Sequence, residues 1–273
     1  MLGLADKAFR AGLNAVLLNQ RNCGGTEHLG PGLYHSGLTE DAAFVIRELA
    51  NRDGIRCVVV AGYSLGGNIA LKLAGEYRPE SLPTLAAVSA VSPVLELDDC
   101  VRALERRSNF VYQWNFVRNL KGRMRRKAAA HPGAFSLRHL DGVHTVRMFD
   151  ELYTAPYFGF ENATDYYRRA AAMRVIDRIR IPALVISAAD DPFVPASLFQ
   201  HPSLAANPNL RVIVTDHGGH CGFLGPANGD DDGYWAERTV VDFASRESES
   251  FMSRSAREQA PPQTADPYPL PRA

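Results

Sequence analysis

The chain has 273 residues, 46% of them hydrophobic, enough to bury a substantial core, and α/β folds of this size commonly form one domain. Lysine plus arginine balance aspartate plus glutamate at 30 each, so no global field draws the protein to nucleic acid or to an anionic membrane. Cys23, Cys57, Cys100 and Cys221 are scattered and form no Cys-x-x-Cys pair, which argues against a zinc or redox centre and for a reducing compartment. The stretch from Met1 to Gln20 carries Asp6 and Arg10 among apolar residues and offers neither a signal-peptide core nor a membrane span. The expectation is a soluble, cytoplasmic protein.

Leu2, Leu4, Ala5, Ala8 and Phe9 recur at near-helical spacing and Gly12 stands where a helix would end, which predicts an opening helix. Asn14 to Gln20 reads as a buried strand running into the loop Arg21-Asn22-Cys23-Gly24-Gly25. After the polar stretch Tyr34-His35-Ser36-Gly37, residues 39–50 predict a helix with Thr39 as its N-cap. The β-branched run Val58-Val59-Val60 meets Gly62-Tyr63-Ser64-Leu65-Gly66 and passes at once into an amphipathic segment, 69–77. Leu85 to Val91 is a further strand, ended by Ser92-Pro93. Strand and helix signals thus alternate from 14 to 91, which predicts a mostly parallel sheet with helices on both faces.

From about 98 to 178 the pattern becomes helical and rich in aromatic residues. The segment reads as an insertion that covers the carboxyl ends of the strands as a lid, or whose rings form the insertion's own core. Within it Arg118, Lys121, Arg123, Arg125, Arg126 and Lys127 form a basic cluster. The cluster reads first as a solvated helix face and second as an attraction for an anionic substrate or a lipid surface. Strand patterns resume at 182–187 and 210–215, and 234–246 predicts a closing helix. One domain is expected over 1–252, followed from about Ser253 by a disordered, proline-rich tail.

By composition, about one chain in ten of this length would carry Gly-x-Ser-x-Gly by chance. A strand before Gly62-Tyr63-Ser64-Leu65-Gly66 and a helix after it give the setting of a nucleophile elbow. A serine hydroxyl becomes a useful nucleophile when an imidazole takes its proton and a carboxylate orients that imidazole. Asp190 and Asp191 follow one predicted strand, and His217 and His220 follow the next. Asp191 is the preferred acid, because in Asp-Pro-Phe-Val-Pro it precedes an apolar pair that anchors the turn, leaving Asp190 exposed. His220 is the preferred base, presented by the mobile glycines 218 and 219, with His217 a loop residue and Cys221 a small buried one. A metal reading of His217 and His220 lacks the glutamate of a helical zinc motif. His28 and His35 read as satisfied loop polarity, or more sharply as substrate contacts.

Arg21-Asn22-Cys23-Gly24-Gly25, Tyr34-His35-Ser36-Gly37, Gly62 to Asn68, Asp165-Tyr166-Tyr167-Arg168, Asp190-Asp191-Pro192-Phe193 and His217 to Phe223 together resemble the YheT-like branch of the α/β-hydrolases, a group related to the ABHD-type lipid esterases. The resemblance runs from near Met1 to about Arg246. It implies the α/β-hydrolase fold with a helical lid insertion, Ser64 as nucleophile, Asp191 as acid, His220 as base and the Leu65 N–H as an oxyanion donor. It also implies strands and a His-Gly-x-x-Gly-type loop ahead of the first helix, so the expected sheet is short of its N-terminal strands. The implied activity is hydrolysis of a small-molecule or lipid acyl ester through an acyl-serine, with no metal or organic cofactor. Peripheral lipid contact fits that activity. The alternatives are a catalytically impaired binding protein and an acyltransferase that uses the same three groups.

Overall fold

The computed structural model describes residues 1–227 and 232–259. Its core is a four-stranded sheet, β1 (Val58–Tyr63), β2 (Leu85–Val91), β3 (Ala183–Ala188) and β4 (Leu210–Thr215), in that spatial order and parallel throughout. Parallel neighbours need crossover connections, and these place helices on both faces. The central strands β2 and β3 are buried at every position, whereas the outer strands β1 and β4 are mostly half-buried.

Side chains alternate across the sheet with period two. Val88, Ala90, Ala183 and Val185 face a core shared with Leu71 and Leu73 of α3 (Leu65–Glu76) and with Ala43 and Ile46 of α2 (Glu40–Asp53). Ala87, Val91, Leu184 and Ile186 face the other core, formed with Leu4 of α1 (Leu2–Arg10) and with Val240 and Phe243 of the last helix. Alternating apolar strands between two amphipathic layers give the predicted α/β architecture.

Between β2 and β3 the chain is helical. It forms α4 (Leu97–Leu104), α5 (Phe110–Ala130), α6 (Val146–Phe149), α7 (Ala155–Phe158) and α8 (Ala163–Ala170). This stretch has apolar clusters of its own, around Tyr166 and Tyr167 and around Val117, Met124, Phe149 and Tyr153. Its aromatic residues therefore divide, because Phe110, Tyr112, Trp114 and Phe116 remain exposed. After β3 come α9 (Pro202–Ala206), β4 and α10 (Trp235–Gln259). Among the described residues no helix is long and apolar enough to cross a membrane.

Three expectations need correction. Residues 14–20 are not a strand: among the described residues none pairs with them, and Val16, Leu17 and Leu18 lie exposed. An apolar run becomes a strand only when a neighbour supplies its ladder. Second, α10 continues to Gln259, past the expected start of the tail at Ser253, because its polar second half contains no proline and many good helix formers. The rest of the expected tail lies outside the described residues. Third, Thr39 occupies the N-cap position of α2, but its hydroxyl donates to Glu76 Oε2 at 2.6 Å and makes no cap bond.

Candidate active site

The site is built where β1, β3 and β4 end. Ser64 leaves β1 with φ 53° and ψ −116°, a left-handed conformation that strains any residue with a side chain, and opens α3. The sharpness of this turn requires Gly62, since a Cβ there would lie 2.1 Å from the Gly66 carbonyl oxygen. The position of Gly66 is open, and a Cβ built on it meets nothing within 4 Å. The turn is held from β2, where the Val91 carbonyl accepts from Ser64 N at 2.8 Å. Leu65 is the first residue of α3, so its N–H belongs to the helix's first-turn donors, which have no intrahelical acceptor.

The turn after β3 places Asp191 and the loop after β4 places His220. His220 Nε2 lies 2.9 Å from Ser64 Oγ, and His220 Nδ1 lies 2.9 Å from Asp191 Oδ2. Ser64, His220 and Asp191, far apart in sequence, thus form one continuous hydrogen-bonded line. The Asp191 carboxylate is fully buried, and its Oδ1 accepts from Phe193 N at 2.9 Å and Val194 N at 3.0 Å. Burial works against a charged ring at His220, but the hydrogen bonds to Asp191 and Cys221 outweigh it and hold the ring up to about 9. Phe193 packs edge-on against the imidazole at 4.8 Å between centroids.

The loop that carries His220 is not the mobile glycine segment that its sequence suggests. The Gly218 carbonyl accepts from Gly222 N and Phe223 N, and Gly219, Cys221 and Phe223 all take positive φ. Cys221 is half-buried in this tight turn, more open than expected. Asp190 also has work that its exposed position hides. Its Oδ1 accepts from Gly219 N at 2.7 Å, and its Oδ2 lies 3.4 Å from Nδ1 of the exposed His217. The adjacent carboxylates therefore hold the same loop at two points, Asp191 by the ring and Asp190 by the backbone. Two aspartates in succession at a strand end were the available signal.

Asn68, fully buried on α3, was not singled out from the sequence as a structural group. Its Nδ2 donates to the carbonyls of Ser36 and Ala170, at 2.8 and 2.9 Å, and its Oδ1 accepts from Ala172 N at 2.8 Å. The Tyr166 hydroxyl accepts from Ser36 N at 3.0 Å and shares a bond of 2.9 Å with Ser36 Oγ. The stretches around 34–37 and 165–168 therefore meet directly behind the elbow helix. His35 is part of this support: its Nδ1 accepts from Gly37 N and its ring packs on Phe158, Phe160 and Tyr166. Burial and the nearby charges of Lys72 and Arg169 hold it down at about 4. His28 is exposed.

Comparison with known proteins agrees with this architecture. The profile of the alpha/beta hydrolase fold family matches residues 3–227. The Escherichia coli (strain K12) protein YheT, provisionally named an esterase, is 38% identical over 82% of this chain and 65% of its own. A monoacylglycerol lipase of Saccharomyces cerevisiae is 29% identical over 79% of this chain and 49% of its own. The chain thus spans less than two thirds of either relative's length. The crystal structure of a Paleococcus ferrophilus monoacylglycerol lipase shares the fold, with a TM-score of 0.53, 16% identity and coverage of 90% of this chain and 88% of that one. The chain therefore belongs to the alpha/beta hydrolase fold family and within it is similar to the YheT-like esterases.

Proposed function

We propose that the protein is a serine hydrolase of carboxylic esters. The observation that carries this reading is the unbroken line from Asp191 through His220 to Ser64, with both links at 2.9 Å. Neutral His220, its Nδ1–H held on Asp191, takes the proton of Ser64 through Nε2 as Oγ attacks the ester carbonyl. The Leu65 N–H faces the oxyanion that develops, and His220 then returns the proton to the leaving alcohol. Water, deprotonated by the same ring, cleaves the acyl-Ser64 bond, which releases the acid and restores the hydroxyl. The names of the esterase and lipase relatives support an acyl ester substrate, small or lipidic. The helical insertion serves as the cap of this site, because Tyr112 and Phe116 of α5 pack on Phe193, which in turn packs on His220.

Treating the folded chain with a fluorophosphonate probe tests the proposal. The expected result is a single adduct on Ser64 that is absent in Ser64→Ala, together with p-nitrophenyl butyrate hydrolysis lost in the same variant. An intact protein whose Ser64 is not labelled, or hydrolysis that survives Ser64→Ala, overturns it.

A further inference from the structure

Helix α5 carries features that ester chemistry at Ser64 does not use. Its 21 residues include Arg118, Lys121, Arg123, Arg125, Arg126 and Lys127 and no acidic residue. Part of the helix is occupied within the molecule. Tyr112 and Phe116 pack on Phe193, Arg123 donates to the Tyr34 hydroxyl at 2.8 Å, Arg126 pairs with Glu27, and buried Lys127 donates to the carbonyls of Glu27 and Gly30. Of these cations Lys127 is buried and leaves the solvated basic face, whereas Arg126 stays largely exposed despite its pair.

The helical repeat of 3.6 residues places Phe110, Trp114, Arg118, Lys121 and Arg125 in one stripe, on the flank away from Tyr112 and Phe116. With Val143 and His144 the stripe walls an open groove of about 420 Å³. Phe110 and Trp114 are 68% and 58% exposed. The Arg118 guanidinium stacks 5.3 Å from the centre of the Trp114 ring. The carboxylate that meets this stripe among the described residues is Asp141, on Arg125 at 2.6 Å, while Lys121 bonds only the Asp141 carbonyl oxygen. A buried Gln113 Oε1 on the groove has no hydrogen-bond partner among the described residues.

Aromatic rings lie at one end of the stripe and cations at the other. That segregation matches the boundary of a bilayer, where rings enter the acyl region and long basic side chains stay among the phosphates. Cations in this setting gain from a negative lipid surface, and the neutral net charge of the whole chain makes their clustering local to α5. The aromatic end is also fixed to the candidate catalytic turn, since Asn109, at the start of α5, donates to the Pro192 carbonyl at 2.8 Å. A surface that held this stripe would lie beside the loop that carries Asp191.

We propose that the Phe110–Trp114–Arg118–Lys121 stripe of α5 docks the protein on an anionic lipid surface. The proposal rests on exposure and charge, independently of the ester reading, so it is tested in the Ser64→Ala background, where failure of catalysis and failure of docking are read apart. Co-sedimentation is measured with vesicles of phosphatidylglycerol and phosphatidylcholine, and with phosphatidylcholine alone. Trp235→Phe leaves Trp114 as the sole tryptophan and hence as the fluorescent reporter.

The expected result is partition onto the anionic vesicles, weakened by salt, with a blue shift of Trp114. Arg118→Ser with Lys121→Ser lowers the partition coefficient about 25-fold, on the basis of about fivefold for each cation removed. Phe110→Ser with Trp114→Ser lowers it about tenfold. Unchanged far-ultraviolet circular dichroism verifies that these surface variants fold. No binding to anionic vesicles, equal binding to neutral ones, or variants that bind like their parent overturn the proposal. So does a lipid-free blue shift of Trp114 that grows with protein concentration as a dimer forms, which would assign the stripe to a second copy.

Discussion

Replacing Asp191 by asparagine tests the chemistry at its most sensitive point. The amide keeps an oxygen for Phe193 N and Val194 N, so the turn after β3 retains its bonds, but it presents an N–H to His220 Nδ1. The imidazole is then forced into the tautomer that points a hydrogen at Ser64, and turnover falls about 10⁴-fold. The ring's ordinary value of 6.5 is raised here to about 9, a preference for the charged form of about 3 kcal/mol. In Asp191→Asn the carboxylate is gone while burial, which disfavours the charge, stays. Only neutral His220 accepts a proton, so the parent's kcat/KM rises with pH through a midpoint near 9, and the residual activity of the variant has its midpoint at lower pH than the parent's. The assay is p-nitrophenyl butyrate hydrolysis across the neutral and alkaline range, with buffer hydrolysis subtracted. A parent midpoint near neutrality that Asp191→Asn leaves in place, or a loss of less than about tenfold, would refute the reasoning.

Three further outcomes follow from the same geometry. Gly62→Ala drives a methyl group to 2.1 Å from the Gly66 carbonyl oxygen and lowers stability by about 3 kcal/mol, read as a reduced urea midpoint. Asn68→Ala removes three buried hydrogen bonds and leaves two carbonyls and one N–H without partners; it costs about 3 kcal/mol in the same measurement. Asp190→Asn weakens the bond to Gly219 N without touching the ring, so kcat drops severalfold while the urea midpoint and the pH midpoint stay where they were. An Asp190→Asn variant with full turnover removes the loop-holding role assigned to that carboxylate.

Much of this site was legible in the sequence because its parts are local. Ser64, Asp191 and His220 each follow an apolar run that ends in turn-forming residues, and parallel strands bring such ends to one edge of the sheet. What stayed hidden depends on partners remote in sequence. Asn68 reads as an ordinary polar residue at the start of a helix, and its role comes from Ser36, Ala170 and Ala172. The glycines at 218 and 219 suggested mobility, yet the Asp190 carboxylate and the Gly218 carbonyl close the loop into a fixed turn. Asn14 to Gln20 failed in the opposite way, since its apolar pattern is sound but none of the described residues supplies a ladder. Polar residues from about Ser253 resembled a tail, although intrinsic helix preference carries α10 on to Gln259.

The two glycines of Gly62-Tyr63-Ser64-Leu65-Gly66 are not equivalent. Crowding fixes the first, while the second sits at the second position of α3 with open space where a methyl group would go. An alanine there would fit and would gain helix propensity of about 1 kcal/mol. The pentapeptide that advertises this kind of elbow thus has, in this chain, a steric requirement at its first glycine and a replaceable letter at its last. A pattern search that insists on both glycines would pass over chains whose serine is held just as firmly.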